Sequence, residues 1–90
     1  MIWKVEFDNR ARKELRKFDK QSQDAILKWM WENLATSENP RRTGKPLKGR
    51  MKGLWRYRVG DYRIISQIQD KNILILVVRI GHRRDVYEDK

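Results

Sequence analysis

Val59-Gly60-Asp61-Tyr62 lies between two alternating runs, LWRYRV at 54–59 and YRIISQIQ at 62–69, and constrains the fold more than any other stretch of the chain. Gly60 accepts the positive φ that two-residue type I′ and II′ turns require, so the runs are expected to close into a tight antiparallel hairpin. Register follows from the turn: Val59 faces Tyr62, Arg58 faces Arg63, and Arg56 faces Ile65. Strand side chains alternate between faces, so Trp55, Tyr57, Val59, Tyr62, Ile64 and Ile68 share one surface. Arg56, Arg58 and Arg63 share the other. Like charges directly opposite one another destabilise a hairpin, on the order of the ~0.2–1 kcal/mol that a favourable cross-strand pair contributes. The only acid within reach, Asp61, is in the turn. A bound phosphate accounts for the cluster, because guanidinium groups present planar, two-pronged donors to phosphate oxygens. The alternative is three arginines fanning apart into water.

The distribution of charge favours the first reading. Of a net +10, nearly all resides in residues 41–63, which hold nine Lys or Arg against one acid. A single-sign field this concentrated points to a polyanion, with nucleic acid as the expected partner and an acidic protein surface as the other. SENPRRTGKPLKGRMKG at 37–53 supplies much of it. With two Pro and three Gly and no periodicity, this segment is predicted to be a long flexible loop, in which Lys45, Lys48, Arg50 and Lys52 serve as phosphate contacts.

Upstream, IWKVEF at 2–7 alternates as a strand with Trp3, Val5 and Phe7 on one side. Asp8 or Asn9 is placed to cap a short helix carrying Ala11, Leu15 and Phe18, and Asp19 to cap a second helix running to about Ala35. The second helix is apolar over more than one stripe. Ala25, Ile26, Trp29 and Met30 form one face, and Leu27, Trp31 and Leu34 a neighbouring one, wider than a single core contact needs. Either Trp31 lies over the sheet edge or Leu27, Trp31 and Leu34 dock a partner. Downstream, ILILVVRI at 73–80 is a further strand, and Gly81 is expected to turn the chain sharply so that Arg83, Arg84 and Tyr87 return over the arginine face. Tyr87 lies four residues after Arg83, which suits one face of a short terminal helix.

Several classes are excluded or disfavoured. Ninety residues, 39% apolar and 38% charged, suffice for one compact domain spanning 1–90. The absence of cysteine removes disulfides, a thiol nucleophile and thiolate metal sites. No export signal or membrane span is visible, since ILILVV is far too short to cross a bilayer. No metal or cofactor is expected, and a cytoplasmic location is.

The order strand, helix hairpin, basic loop, LKG…GLWRYRVGDYRII, a QDKN turn, an apolar strand and GHRRDVY resembles the RelE/ParE superfamily of toxin–antitoxin toxins, and VGDYR with GHRRDVY resembles its RelE-like branch. The resemblance implies an α+β fold in which an antiparallel sheet packs on an N-terminal helical hairpin, in the order β-α-α-β-β-β. It implies a ribosome-dependent endoribonuclease that cuts mRNA in the A site and inhibits translation. A RelB-like antitoxin, the ribosome and mRNA are the implied partners. By position, Arg56 and Arg58 match the strand residues around the scissile phosphate, and Arg63 an arginine that stabilises the transition state. Arg83 matches an arginine near the leaving group, Tyr87 the aromatic on which a base stacks, and Arg84 falls among the RNA contacts. Well-known relatives carry Lys where this chain has Arg56 and Arg58, and arginine does not release its proton to act as a base. Lys52, Lys48 or His82 are the substitutes the sequence offers, His82 fitting the pKa requirement best. A ParE-like gyrase inhibitor and a non-catalytic RNA-binding domain are the alternative readings.

Overall fold

The computed structural model describes residues 2–84. Strand β1 (Lys4–Phe7) leads into helices α1 (Asn9–Arg16) and α2 (Lys20–Met30), followed by β2 (Lys45–Pro46), β3 (Trp55–Val59), β4 (Tyr62–Gln69) and β5 (Leu74–His82). The sheet order is β1-β5-β4-β3-β2. The architecture is the expected α+β arrangement with two corrections: β1 pairs in parallel with β5, so the sheet is mixed, and the basic loop contributes the short edge strand β2.

The local signals in the chain account for the element boundaries. Asp8, not Asn9, caps α1 by accepting from Ala11 N at 2.9 Å, and Asp19 caps α2 by accepting from Ser22 N at 3.2 Å. After Met30 the helix opens into a π turn over Trp31–Ala35. Its hydrogen bonds reach one residue further than those of an α-helix, which takes in an extra residue per turn. Leu34 thereby stays in line with Ile26 and Met30, and all three are buried against the sheet.

The hairpin has the predicted register: Val59 pairs with Tyr62, Arg58 with Arg63, and Arg56 with Ile65. Gly60 has φ +58° and Asp61 is not in the left-handed region, so the turn is of the II′ kind. Tyr57 and Ile64, paired across the strands, are fully buried under α2, where Trp29 packs on Tyr57 with ring centroids 5.6 Å apart. In β5 the register slips: Ser66 pairs with Val77 but Ile65 with Arg79, which leaves Val78 as the extra residue of a bulge. The bulge reverses the alternation. Ile75, Val77 and Ile80 all reach the core, and Arg79 goes to the other face.

β1 runs alongside only the first half of β5; its last bond is Asp8 N to Val77 O. Beyond that point α1 takes over the edge. Glu14 accepts from Ile80 N at 2.8 Å through one carboxylate oxygen and from Arg79 Nε at 3.0 Å through the other. One side chain thus satisfies an edge amide and pairs a nearly buried arginine, both of which are costly to leave unmet. Among the described residues no helix is long and apolar enough to cross a membrane, and no group of side chains is arranged to hold a metal ion.

A candidate nucleic-acid interface on the β3–β4 hairpin

Alternation and register place a band of cations on the side of the sheet turned away from the helices. One row across the strands reads Lys45, Arg56, Ile65, Arg79, and the next Arg58, Arg63, Gly81. The three predicted arginines are therefore together, but they do not fan into water. Only Arg58 is exposed; Arg56 is half-buried and Arg63 is buried. Arg63 lies against its own turn, where Nη1 donates to Tyr62 O at 3.2 Å and Gly60 O at 3.4 Å. Those carbonyls orient the guanidinium before any ligand arrives, and Gly81 opposite it has no side chain to compete for the space.

Two residues of this face escape a sequence reading. Lys45, expected in a mobile loop, is fixed in β2 directly across from Arg56. Arg79 sits beside Ile65 only because of the Val78 bulge. The run ILILVV is apolar throughout and shows no alternation, so nothing local marks the bulge.

The loop itself is half anchored. Tyr57 Oη donates to Pro40 O at 2.6 Å, Trp55 Nε1 donates to Thr43 O at 2.7 Å, and Arg41 makes a bidentate pair with Asp70 at 2.9 Å per bond. The guanidinium holds the Asp70 carboxyl below its usual pKa. Burial pushes the Tyr57 hydroxyl well above its ordinary value. Lys48, Arg50 and Lys52, beyond β2, are exposed around a short 3₁₀ turn at Gly49–Met51.

His82 is not on the arginine face. It pairs with Tyr62, and the two rings meet edge-on at 6.2 Å. Tyr62 points to the helices, stacking on Phe18 at 4.6 Å and donating to Ser22 Oγ at 3.3 Å. Directly opposed residues share a face, so His82 lies on the helix side with Tyr62. Its Nδ1 also accepts from Arg84 N at 3.3 Å. The expected sharp turn at Gly81 is likewise corrected: Gly81 is an interior residue of β5, and the ladder extends to a bond from Arg83 N to Asp61 O at 2.8 Å. Alternation then puts Arg83 on the side of Arg63, while Arg83 and Arg84 are both exposed. Tyr87 and the expected terminal helix lie outside the described residues.

The expected partner-binding stripe on the second helix also needs correction. Leu34 is fully buried and belongs to the core, and Ala25 of the neighbouring face is exposed. Leu27 and Trp31 are exposed, Trp31 at 63%, and they line an apolar groove with Val5, Phe7, Met30 and Ala35. The groove runs along the free edge of β1.

Comparison with known proteins bears on the family and the fold. Residues 5–87 match the family described as ParE toxin of type II toxin–antitoxin system, parDE. The chain is 32% identical to toxin RelG of Mycobacterium tuberculosis over 97% of its own length and 98% of the relative's. It is 29% identical to the mRNA interferase toxin RelE of Escherichia coli, covering 99% and 94% of the two chains. Its fold superposes on a chain of the RelBE2 toxin–antitoxin complex of M. tuberculosis with a TM-score of 0.84 at 29% identity, over 94% and 95% of the chains.

Proposed function

The chain belongs to the RelE/ParE superfamily of type II toxin–antitoxin toxins and is RelE-like, and from that premise we propose that it is a ribosome-dependent endoribonuclease that cuts mRNA in the A site. The observation that carries the reading is the band of Lys45, Arg56, Arg58, Arg63 and Arg79 across four adjacent strands, β2 to β5, with no carboxylate on β3 or β4. A docking surface for protein alone does not require such a concentration of cations along one sheet face, whereas a phosphate in a reaction that builds up negative charge is stabilised by it.

In the proposed reaction the 2′-hydroxyl oxygen attacks the adjacent phosphorus and loses its proton, the bond from phosphorus to the 5′ oxygen breaks, and that oxygen takes up a proton. The products are a cyclic phosphate and a 5′-hydroxyl. Arg63, pre-oriented by the turn carbonyls, and Arg56 and Arg58 donate to the phosphoryl oxygens as charge develops on them, which is where a fixed donor contributes most. Arg83 follows at the leaving-group side. With His82 on the opposite side of the sheet, the arginine face has no imidazole among the described residues. Lys48 and Lys52 are too exposed to be held as a dedicated base, so the ribosome's own groups and the strained mRNA supply the proton transfers. Free RNA is consequently a poor substrate.

A neutralising antitoxin of the RelB kind is the second part of the proposal, named by the complexes in which the related folds occur. Its apolar anchor is the groove holding Leu27 and Trp31, and its acidic residues meet the arginine face. The deciding experiment adds the protein to a programmed ribosome complex and maps mRNA ends by primer extension. Cleavage in the A site, and far slower cleavage of the same RNA alone, is the expected result. Equal rates with and without ribosomes, or DNA breaks that require gyrase, would overturn the assignment.

A further inference from the structure

We propose that a cleft at the free edge of β3 holds one unpaired nucleobase of the RNA, with Trp29 as its stacking surface. The inference rests on reading the chain as an RNA-cutting toxin. The cleft is lined by Trp29, Thr43, Gly44, Lys45, Arg56 and Arg58 and has a volume of about 230 Å³. That is below the ~300 Å³ at which pockets for drug-sized ligands begin, so it suits a single ring system.

The cleft exists because β2 is only two residues long and covers β3 at Trp55 and Arg56 alone. Leu54 O accepts from Leu47 N on the β2 side, so the two-residue period turns the peptide groups of Arg56 and Arg58 the same way. Lys45 pairs with Arg56. The N–H and C=O of Arg58, past the end of β2, face the cleft and offer a donor and an acceptor to a base edge.

The walls are built rather than loose. A Cβ at Gly44 would lie 2.3 Å from Arg56 O and 2.9 Å from Tyr57 Cδ1, and φ there is +79°, so only glycine lets the loop lie this close. Trp29 is half-buried and held on Tyr57, which fixes the plane of its indole. The lining thus combines one immobilised aromatic with three cations and no carboxylate. An acidic protein side chain would leave the indole unused, and an apolar one would make no use of the cations. A nucleotide uses both, and base stacking on an aromatic is worth about 1–3 kcal/mol per base.

The test uses the whole protein carrying fluorotryptophan at its four tryptophans, Trp3, Trp29, Trp31 and Trp55, with the Trp29 signal assigned by Trp29→Phe. Fluorine NMR follows titration at low salt with an uncleavable 2′-O-methyl trinucleotide and with its abasic counterpart, which keeps the phosphates. The expected result is that the trinucleotide moves the Trp29 signal and leaves that of Trp31 in place. The abasic chain should bind at least about fivefold more weakly and leave Trp29 unmoved, which is the lower end of the stacking range. Trp29→Leu should lower affinity for the intact trinucleotide by a similar factor and leave the abasic affinity as it was. RNA that binds without moving Trp29 would overturn the cleft while leaving the ribosomal reading intact, since that has its own cleavage assay. So would equal effects of intact and abasic chains, or the absence of binding at millimolar RNA. A Trp29 shift produced by the antitoxin and not by RNA would reassign the cleft to protein docking.

Discussion

Tyr57 and Arg58 are neighbours on β3, yet one is fully buried and the other exposed, and the same contrast runs along the whole hairpin. On the helix side, Tyr57, Ile64 and Tyr62 are held by ring packing and by hydroxyls bonded to Pro40 O and Ser22 Oγ. On the far side, Arg56, Arg58 and Arg63 are like charges set close together by the strands, with Arg63 further held by the turn carbonyls of Gly60 and Tyr62. The two faces share a backbone but answer to different forces. The helix face stabilises the fold through burial, and the arginine face gives up some stability to hold charge where a phosphate can meet it. Changes on one face should therefore alter stability with little direct effect on chemistry, and changes on the other the reverse.

The sharpest test is on the buried face. Tyr57→Ala should cost about 3–5 kcal/mol of stability by urea unfolding, as large-to-small changes of aromatic residues in a core do. A loss under about 1 kcal/mol would mean that the loop and Trp29 do not depend on this ring. On the arginine face, Arg63→Ala should slow ribosomal cleavage by about 10²–10³ under single-turnover conditions at saturating toxin, the usual loss for one transition-state donor. Its unfolding midpoint should change far less than that of Tyr57→Ala. Wild-type cleavage once binding is saturated would reduce the cluster to an electrostatic platform.

Smaller effects sharpen the contrast. Tyr57→Phe should cost about 1–2 kcal/mol, because it removes the hydrogen bond to Pro40 O. It should also alter the alkaline limb. The folded state raises the Tyr57 pKa, so wild-type stability from this group is fully present below the unfolded value of about 10 and is lost above it, at up to ~1.4 kcal/mol per pH unit. The Phe variant lacks that slope, and unfolding measured on both sides of pH ~10 checks it. Lys48→Ala, on the exposed stretch of the basic loop, should weaken ribosome association and reduce the salt slope by about 0.7 for one lost contact to a single strand. Salt titration of binding reads this directly. His82→Ala, on the helix side of the sheet, should leave cleavage within about twofold of wild type, whereas a true general base contributes about 10²–10⁴.

Much of the hairpin was legible in the chain, and the reason is that its rules are local. A glycine at a two-residue turn fixes register, register fixes which side chains share a face, and the arginines followed from those two steps at every pair. Helix starts at Asp8 and Asp19 and the concentration of charge in residues 41–63 are local in the same sense. The tertiary structure decided the rest, because those features depend on contacts between distant segments. That β1 lies parallel to β5 is one such contact, and the Glu14 carboxylate that closes the edge of β5 spans 65 residues to Arg79. The Val78 bulge sends Arg79 out and Ile80 in, and a π turn draws Leu34 into the core while Trp31 stays exposed. Each shifts a strand or helix by one residue, and a shift of one residue exchanges inside for outside, which no window of local periodicity can anticipate without the partner against which the element packs. The side of the sheet that His82 occupies was decided in the same way. The sequence showed the only imidazole close to the arginines, and the pairing with Tyr62 put it on the other side of the sheet.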